Sequence, residues 1–117
     1  MWEAYFHIHV RRRKLLLTVI IIVYIIIYMR FEWDFNKNRE NIVKHGISFE
    51  EARIAFSDEK RFVEKDVKHS TLKEERYFLY GDTGKGIATV RFTIRDNTIR
   101  LIGAGYWREG RNKYEKR

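Results

Sequence analysis

The sequence predicts an α+β fold: a small antiparallel sheet with two N-terminal helices packed on it and a short C-terminal helix. Three observations carry this expectation. Residues 31–52 hold two closely spaced sets of helix start and stop signals. Residues 76–106 hold three apolar stretches joined by two tight turns. Residues 108–117 return to a polar, basic pattern with Tyr114 as its one aromatic residue. The order βααββββα follows, which places helices on one face of an antiparallel sheet.

Each element has its own warrant. Phe31–Trp33 reads as a first or edge strand. Asp34 is placed to accept the first free helical N–H groups, and Gly46 supplies the left-handed position that ends a helix over Asp34–His45. Phe35 and Ile42, seven apart, share a stripe with Asn38 and Asn41, so this helix is expected to pack lightly. Ser48 and Glu51 form an S-x-x-E capping box that opens a second helix, about Phe49 to Phe56. It is expected to set Phe49, Ala52, Ile54 and Phe56 against the core and to stop at Ser57-Asp58. Arg61–Val67 reads as a strand, and Asp66–Glu74 as a polar loop that carries His69-Ser70.

Arg76–Asp82, Ile87–Arg95 and Thr98–Tyr106 follow as strands, turned by Thr83-Gly84-Lys85-Gly86 and by Asp96-Asn97. Alternation along the middle strand puts Ile87, Thr89, Arg91 and Thr93 on one face, and Ala88, Val90, Phe92 and Ile94 on the other. In the last strand Ile99, Leu101, Gly103 and Gly105 alternate with Arg100, Ile102, Ala104 and Tyr106. Arg108–Arg117 reads as a final helix in which Gly110 is unfavourable.

Residues 1–30 differ from the rest. The basic block Arg11–Lys14 precedes an apolar run, Leu15–Met29, in which Thr18 is the one strongly polar residue. As a helix this run rises roughly 22 Å, short of the ~30 Å hydrocarbon core of a bilayer. Its Ile, Val and Tyr content favours a strand by intrinsic preference. Two readings are expected of this leader: a start set upstream of a true start at Met29, which favours a cytoplasmic protein, or a short membrane anchor at residues 15–29. Residues 31–117 form the expected single domain, since 117 residues with 44% hydrophobic content suffice for one core.

The chain has no cysteine, which excludes disulfides and Cys-ligated zinc. His45 and His69 lack a third partner at ligand spacing, so neither a metal nor a cofactor is expected. Gly81, Gly84 and Gly86 mark a hairpin, not a phosphate-cradling loop. Net charge is +8, and its basic excess within the domain lies at the C-terminal end. Residues 83–117 hold 9 Lys and Arg against 3 Asp and Glu, whereas residues 31–82 hold 10 against 12. Such a surface suits a polyanion.

The stretch Trp33, Asp34, Lys37, Asn41, Lys44, His45, Gly46, Phe49, Glu50 and Ala52 follows the pattern W-D-x-x-K-x-x-x-N-x-x-K-H-G-[IV]-x-F-E-x-A. It resembles the opening of the BrnT family of bacterial toxins, ribonuclease partners in type II toxin–antitoxin pairs. His69, Ser70, Glu75, Arg76 and Tyr77 fit a second family pattern, H-S-x-x-x-x-E-R-[YF], and Ile99–Ile102 a third. One departure stands out: where the family commonly ends a strand in I-S-A-R, this chain has Gly105 at the arginine position, with Arg108 close behind.

The resemblance implies a RelE-like fold, a ribonuclease that inhibits translation, an RNA substrate and a BrnA-like ribbon-helix-helix antitoxin. Promoter DNA would be bound only through the antitoxin complex. Metal-independent RNA cleavage needs a group to deprotonate the 2′-hydroxyl, cations for the phosphorane-like transition state and an acid for the leaving oxygen. The candidates are Lys44, His45, Arg76 and Arg108 for catalysis, and Arg91, Arg100, Tyr106 and His69 for RNA contact. Lys44 and His45 equally suit a helix C-terminus, where cations complement the dipole. Arg76 equally suits a sheet-edge ion pair with Glu75. The rival reading is a module that binds nucleic acid or antitoxin without cutting.

Overall fold

The computed structural model describes residues 13–21, 23 and 30–117. Most of the expected leader lies outside these residues. Where it is described, residues 13–21 are helical, against the strand preference of the run. Leu15, Leu16 and Leu17 are unbranched at Cβ, and the Thr18 hydroxyl donates to the Lys14 carbonyl one turn back at 2.9 Å, both compatible with a helix. Among the described residues, no helix is long and apolar enough to cross a membrane.

The domain runs β1 (Arg30–Glu32), α1 (Phe35–His45), α2 (Phe49–Arg53), a 3₁₀ turn (Ile54–Ser57), β2 (Phe62–Lys65), β3 (Arg76–Asp82), β4 (Ile87–Arg95), β5 (Thr98–Gly105) and α3 (Arg108–Lys116). The strands form one sheet in the order β1-β5-β4-β3-β2. The expected meander β3-β4-β5 is present, as is the antiparallel pairing of β2 with β3. The expectation of a wholly antiparallel sheet is corrected: β1 pairs parallel to β5, Phe31 opposite Ile99, so the sheet is mixed. The return from β1 to β5 passes through the helical layer and three other strands, a crossover that permits parallel pairing.

The caps act as the residues suggest. The Asp34 carboxylate accepts from the Lys37 amide at 2.9 Å, Gly46 ends α1 at φ +68°, and the Ser48 hydroxyl accepts from the Glu51 amide at 3.0 Å. Asp96 and Asn97 both take positive φ, as a two-residue hairpin turn requires. The second helix is shorter than expected. After Arg53 the chain tightens into 3₁₀ geometry, which turns Ala55 into the core and leaves Ile54 outside.

Core packing on the first sheet face joins Phe49, Ala52 and Phe56 to Leu79, Val90 and Leu101. Phe56 meets Phe92 and Phe31 edge-on. At Gly81 the 3₁₀ turn lies directly on the sheet: an added Cβ would collide with the Ala55 carbonyl oxygen. The expected apolar stripe of α1 is corrected too, since Phe35 and Ile42 are exposed and the buried positions are Asn38 and Asn41, each 7% exposed. Asn41 donates through Nδ2 to the carbonyls of Ile47 and Ala104, both at 2.9 Å, and its Oδ1 accepts from the Ala104 amide at 3.2 Å. One side chain thus serves the edge of β5 beyond the reach of short β1. Asn38 accepts from the Phe49 amide at 2.8 Å and donates to Glu50.

Alternation in β5 breaks at a bulge. Arg91 faces Gly103 but Phe92 faces Leu101, so Ile102 is the extra residue. Ile99 and Leu101 point into the core, and after the bulge Ala104 does so as well, whereas simple alternation put it on the opposite face.

Not every helix lies on one face. α3 crosses the second face, where Gly110 lets its backbone settle on Thr89 and Tyr80; an added Cβ would collide with the Thr89 hydroxyl. Its far end is pinned by Tyr114, which donates to Asp58 at 2.6 Å, and by Lys113, which donates to Glu64 at 2.6 Å. Burial pushes the Asp58 carboxyl up. The Tyr114 hydroxyl and the amides of Asp82 and Lys60, helped by the Arg117 charge, outweigh this and hold it below the ordinary carboxylate range. Burial and then Asp58 push Tyr114 up to about 12. The Lys113 and Tyr80 hydrogen bonds lower Glu64.

Three expectations follow. Asn41→Ala strands two carbonyls and an amide and costs about 3 kcal/mol in urea unfolding, since each buried unpaired group costs roughly 1–3 kcal/mol. Gly81→Ala costs about 1–3 kcal/mol through overpacking against the backbone of the 3₁₀ turn. Because Asp58 and Glu64 are lowered on folding, their contribution is present above their unfolded pKa values, roughly 4, and fades as pH falls further. Unfolding midpoints measured from pH 7 to pH 3 drop at the acid end, and less so in Asp58→Asn.

Candidate nucleic-acid interface

The second sheet face is only partly roofed. Tyr80, Thr89 and Gly105 form a row in which each residue opposes the next across the strands; α3 covers the first two and Trp107 the third. Beyond α3 lies the row Phe78, Arg91, Gly103, and beyond that Arg76, Thr93, Arg100. Strand alternation and the bulge at Ile102 together put Arg76, Arg91 and Arg100 on this one face, with Phe78 among them. The three arginine side chains and Phe78 are half-buried, so their stems lie along the sheet and keep the guanidinium groups at its surface.

Their pairing differs. Arg76 donates from Nε to Glu74 at 3.1 Å, a carboxylate shared with Arg95, which approaches its other oxygen at 2.6 Å. The Arg95 and Arg76 hydrogen bonds lower Glu74. The expected Arg76–Glu75 pair is not formed; Glu75 instead meets Lys65 and the Tyr77 hydroxyl. Arg100 stands 3.5 Å from Glu32 of the parallel β1. Among the described residues, Arg91 has no carboxylate within ion-pair distance, and its stem leans over Gly103, 3.9 Å from where a Cβ would sit.

His69 borders this face. Its loop is tied to the start of β3: the Asp66 amide donates to the Arg76 carbonyl at 2.8 Å, and the Arg76 amide to the Ser70 hydroxyl at 2.9 Å. Asp66 therefore stands opposite Arg76, extending the Arg76, Thr93, Arg100 row by one residue. His69 Nδ1 lies 2.8 Å from Asp66 Oδ2.

The remaining candidates gather at the other end of the sheet. The Trp107 indole lies flat on Gly105, where a Cβ would fall 2.4 Å from the ring, and its outer side meets the His45 ring edge-on at 5.1 Å. Gly105 is thus the residue that seats Trp107. Tyr106 donates to Glu51 at 2.8 Å and contacts the Thr83 hydroxyl; Lys85 reaches the other Glu51 oxygen at 2.7 Å. The Lys85 and Tyr106 hydrogen bonds lower Glu51. Burial raises Tyr106, and Glu51 adds to the effect. Tyr106 is held as a protonated donor between two elements. Arg108, Lys85 and Arg111 line a cleft of about 350 Å³ beside Tyr106 and Trp107.

The eight candidates therefore fall into two groups. Arg76, Arg91 and Arg100 share the open face, and His69 is tied to its edge through Asp66. His45, Tyr106 and Arg108 meet near the start of α3, with Lys44 exposed in the last turn of α1. Along β4 the separation from the Arg76 row to Ile87 beside the cleft is six residues, roughly 20 Å. Sequence alone does not mark out Lys85, Arg111, Glu74 or Asp66. The first three are ordinary surface charges in sequence, while Asp66 carries one signal, its i,i+3 spacing from His69 in a polar loop. Among the described residues, no group of three or more His, Asp and Glu is arranged to hold a metal ion.

Gly105→Arg tests how Trp107 is seated. The new side chain takes the space of the indole, so the ring-current shift of the His45 imidazole protons disappears in the NMR spectrum, while Gly103→Ala, which meets only contacts of about 3.9 Å, leaves it in place.

No curated protein matches the chain. Residues 33–110 match the model of a family described as the ribonuclease toxin, BrnT, of type II toxin–antitoxin systems. The matched span runs from the Trp33 that packs on Phe49 to the Gly110 that seats α3, and so covers both faces of the sheet. The chain belongs to the BrnT family of toxin–antitoxin ribonuclease toxins.

Proposed function

We propose that residues 31–117 act as a metal-independent endoribonuclease that inhibits translation by cutting RNA in the cytoplasm. The observation that carries this reading is the alignment of Arg76, Arg91 and Arg100 on the sheet face opposite α1 and α2. Three guanidinium groups on adjacent strands present cations to a phosphodiester backbone, and charge-assisted contacts to its oxygens are directional. Phe78 between them offers a flat apolar surface to an unstacked base. Arg91 and Arg76 are suited to the scissile phosphate, with Arg100 beside them.

Lys44, His45, Tyr106 and Arg108 then hold the strand that leaves this face toward the start of α3. The basic surface also suits an acidic or polar partner. A BrnA-like ribbon-helix-helix antitoxin that covers it would silence the toxin, and the complex would bind its promoter DNA through the antitoxin.

The test is incubation of the full chain with single-stranded RNA in EDTA, beside Arg76→Ala. Cleavage in EDTA is expected, with the variant slower by about a hundredfold, the effect of removing one transition-state donor. A folded chain that binds RNA but leaves it whole would favour the non-cutting module.

A further inference from the structure

Asp66 is buried although it sits at the start of a polar loop. Its two carboxylate oxygens do different things. Oδ1 accepts from the His69 amide at 3.2 Å, which by itself completes the turn. Oδ2 is turned to the His69 ring, 2.8 Å from Nδ1, a contact the turn does not need. The loop backbone is fixed independently. The Ser70 amide and hydroxyl both donate to the Asp66 carbonyl, at 3.1 and 2.6 Å, and the Ser70 hydroxyl accepts from the Arg76 amide. An ionised carboxylate only accepts, so the short contact requires the proton on Nδ1 and leaves the lone pair of neutral His69 on Nε2. The His69 side chain is 44% exposed, while Asp66 beneath it is shielded.

Cross-strand neighbours have Cβ atoms roughly 5 Å apart, so Asp66 stands beside Arg76 on the edge of the arginine face, and its contact with Nδ1 ties His69 to that edge. From this juxtaposition we propose that Asp66 and His69 form the acid–base centre of the ribonuclease reaction, with His69 catalytic and Asp66 the residue that positions it. The inference rests on the function proposed above and adds the proton acceptor to it. Nε2 takes the proton of the RNA 2′-hydroxyl as the 2′-oxygen bonds to phosphorus, and the P–O5′ bond breaks to leave a 2′,3′-cyclic phosphate. The departing 5′-oxygen takes a proton from water, and the imidazolium returns its own to the hydroxide so formed. Arg76 and Arg91 face the charge that grows on the phosphoryl oxygens.

The experiment uses the full chain, His69→Ala and Asp66→Asn, each checked for folding by circular dichroism. Cleavage of a single-stranded RNA is followed at varied substrate concentration, and ¹⁵N NMR of the His69 ring is recorded at about pH 8. The expected result is Nδ1–H as the neutral tautomer in the native chain and its loss in Asp66→Asn. kcat should fall about 100-fold or more in both variants, with KM little changed. An Nε2–H tautomer in the native chain overturns the proposal, as does a folded His69→Ala chain that cuts at the native kcat while the native chain is active. A native chain that cuts no RNA overturns the ribonuclease reading itself, a separate failure recognised without either variant.

Discussion

The side-chain amide of Asn41 is the contact on which the rest of this domain depends. β1 is three residues long and leaves the outer edge of β5 open from Leu101 onward. Unpaired backbone groups at a buried edge are costly, and Asn41 supplies both a donor and an acceptor to Ala104, as a further strand would. Because the same amide also holds the Ile47 carbonyl, it fixes the α1–α2 corner against that edge. Asn38 repeats the device one turn earlier on the start of α2. A polar seam therefore stands where an amphipathic helix normally presents leucines, which explains why Phe35 and Ile42 can remain outside.

This seam has a consequence for the opposite face. With the helical layer fixed on one side, Ile102 bulges and the last residues of β5 are re-aimed, bringing Ala104 inward and Gly103 and Gly105 to the second face. Those two glycines leave room for large neighbours: Trp107 lies on Gly105, and the Arg91 stem passes over Gly103. The small residues of β5 thus shape the floor on which the cations stand. Carboxylates sort those cations further. Glu74 holds Arg76 and Arg95, Glu32 faces Arg100, and Arg91 has no carboxylate within ion-pair distance among the described residues.

Much of this was legible in the residues where the physics is local. Asp34, Gly46, Ser48 and the Asp96-Asn97 turn act within four residues of chain, and each is found doing what its chemistry suggests. The β3-β4-β5 meander follows from tight turns for the same reason. What escaped was set by distant partners. Parallel pairing of Phe31 with Ile99 joins the two ends of the domain, and nothing near either strand encodes it. The bulge at Ile102 accompanies the bond of Ala104 to Asn41, a partner far away in sequence. α3 takes the second face because Gly110, unfavourable inside a helix, is favourable where a backbone must approach Thr89. At the candidate site, alternation was enough to place Arg91 on the wetter face. The division of the eight candidates between two ends of the sheet required the pairing register, and the burial of Asp66 required the loop.

RNA is proposed to lie across the sheet face opposite α1 and α2. The most direct test is an NMR titration of the full-length His69→Ala chain with a 2′-O-methyl oligoribonucleotide, which can bind but not react. The Nε–H resonances of Arg76, Arg91 and Arg100 and the ring of Phe78 are expected to shift together, saturably, while residues exposed on α1 such as Phe35 and Val43 stay in place. Shifts confined to α1 and α2, with the three arginines unmoved, would contradict it.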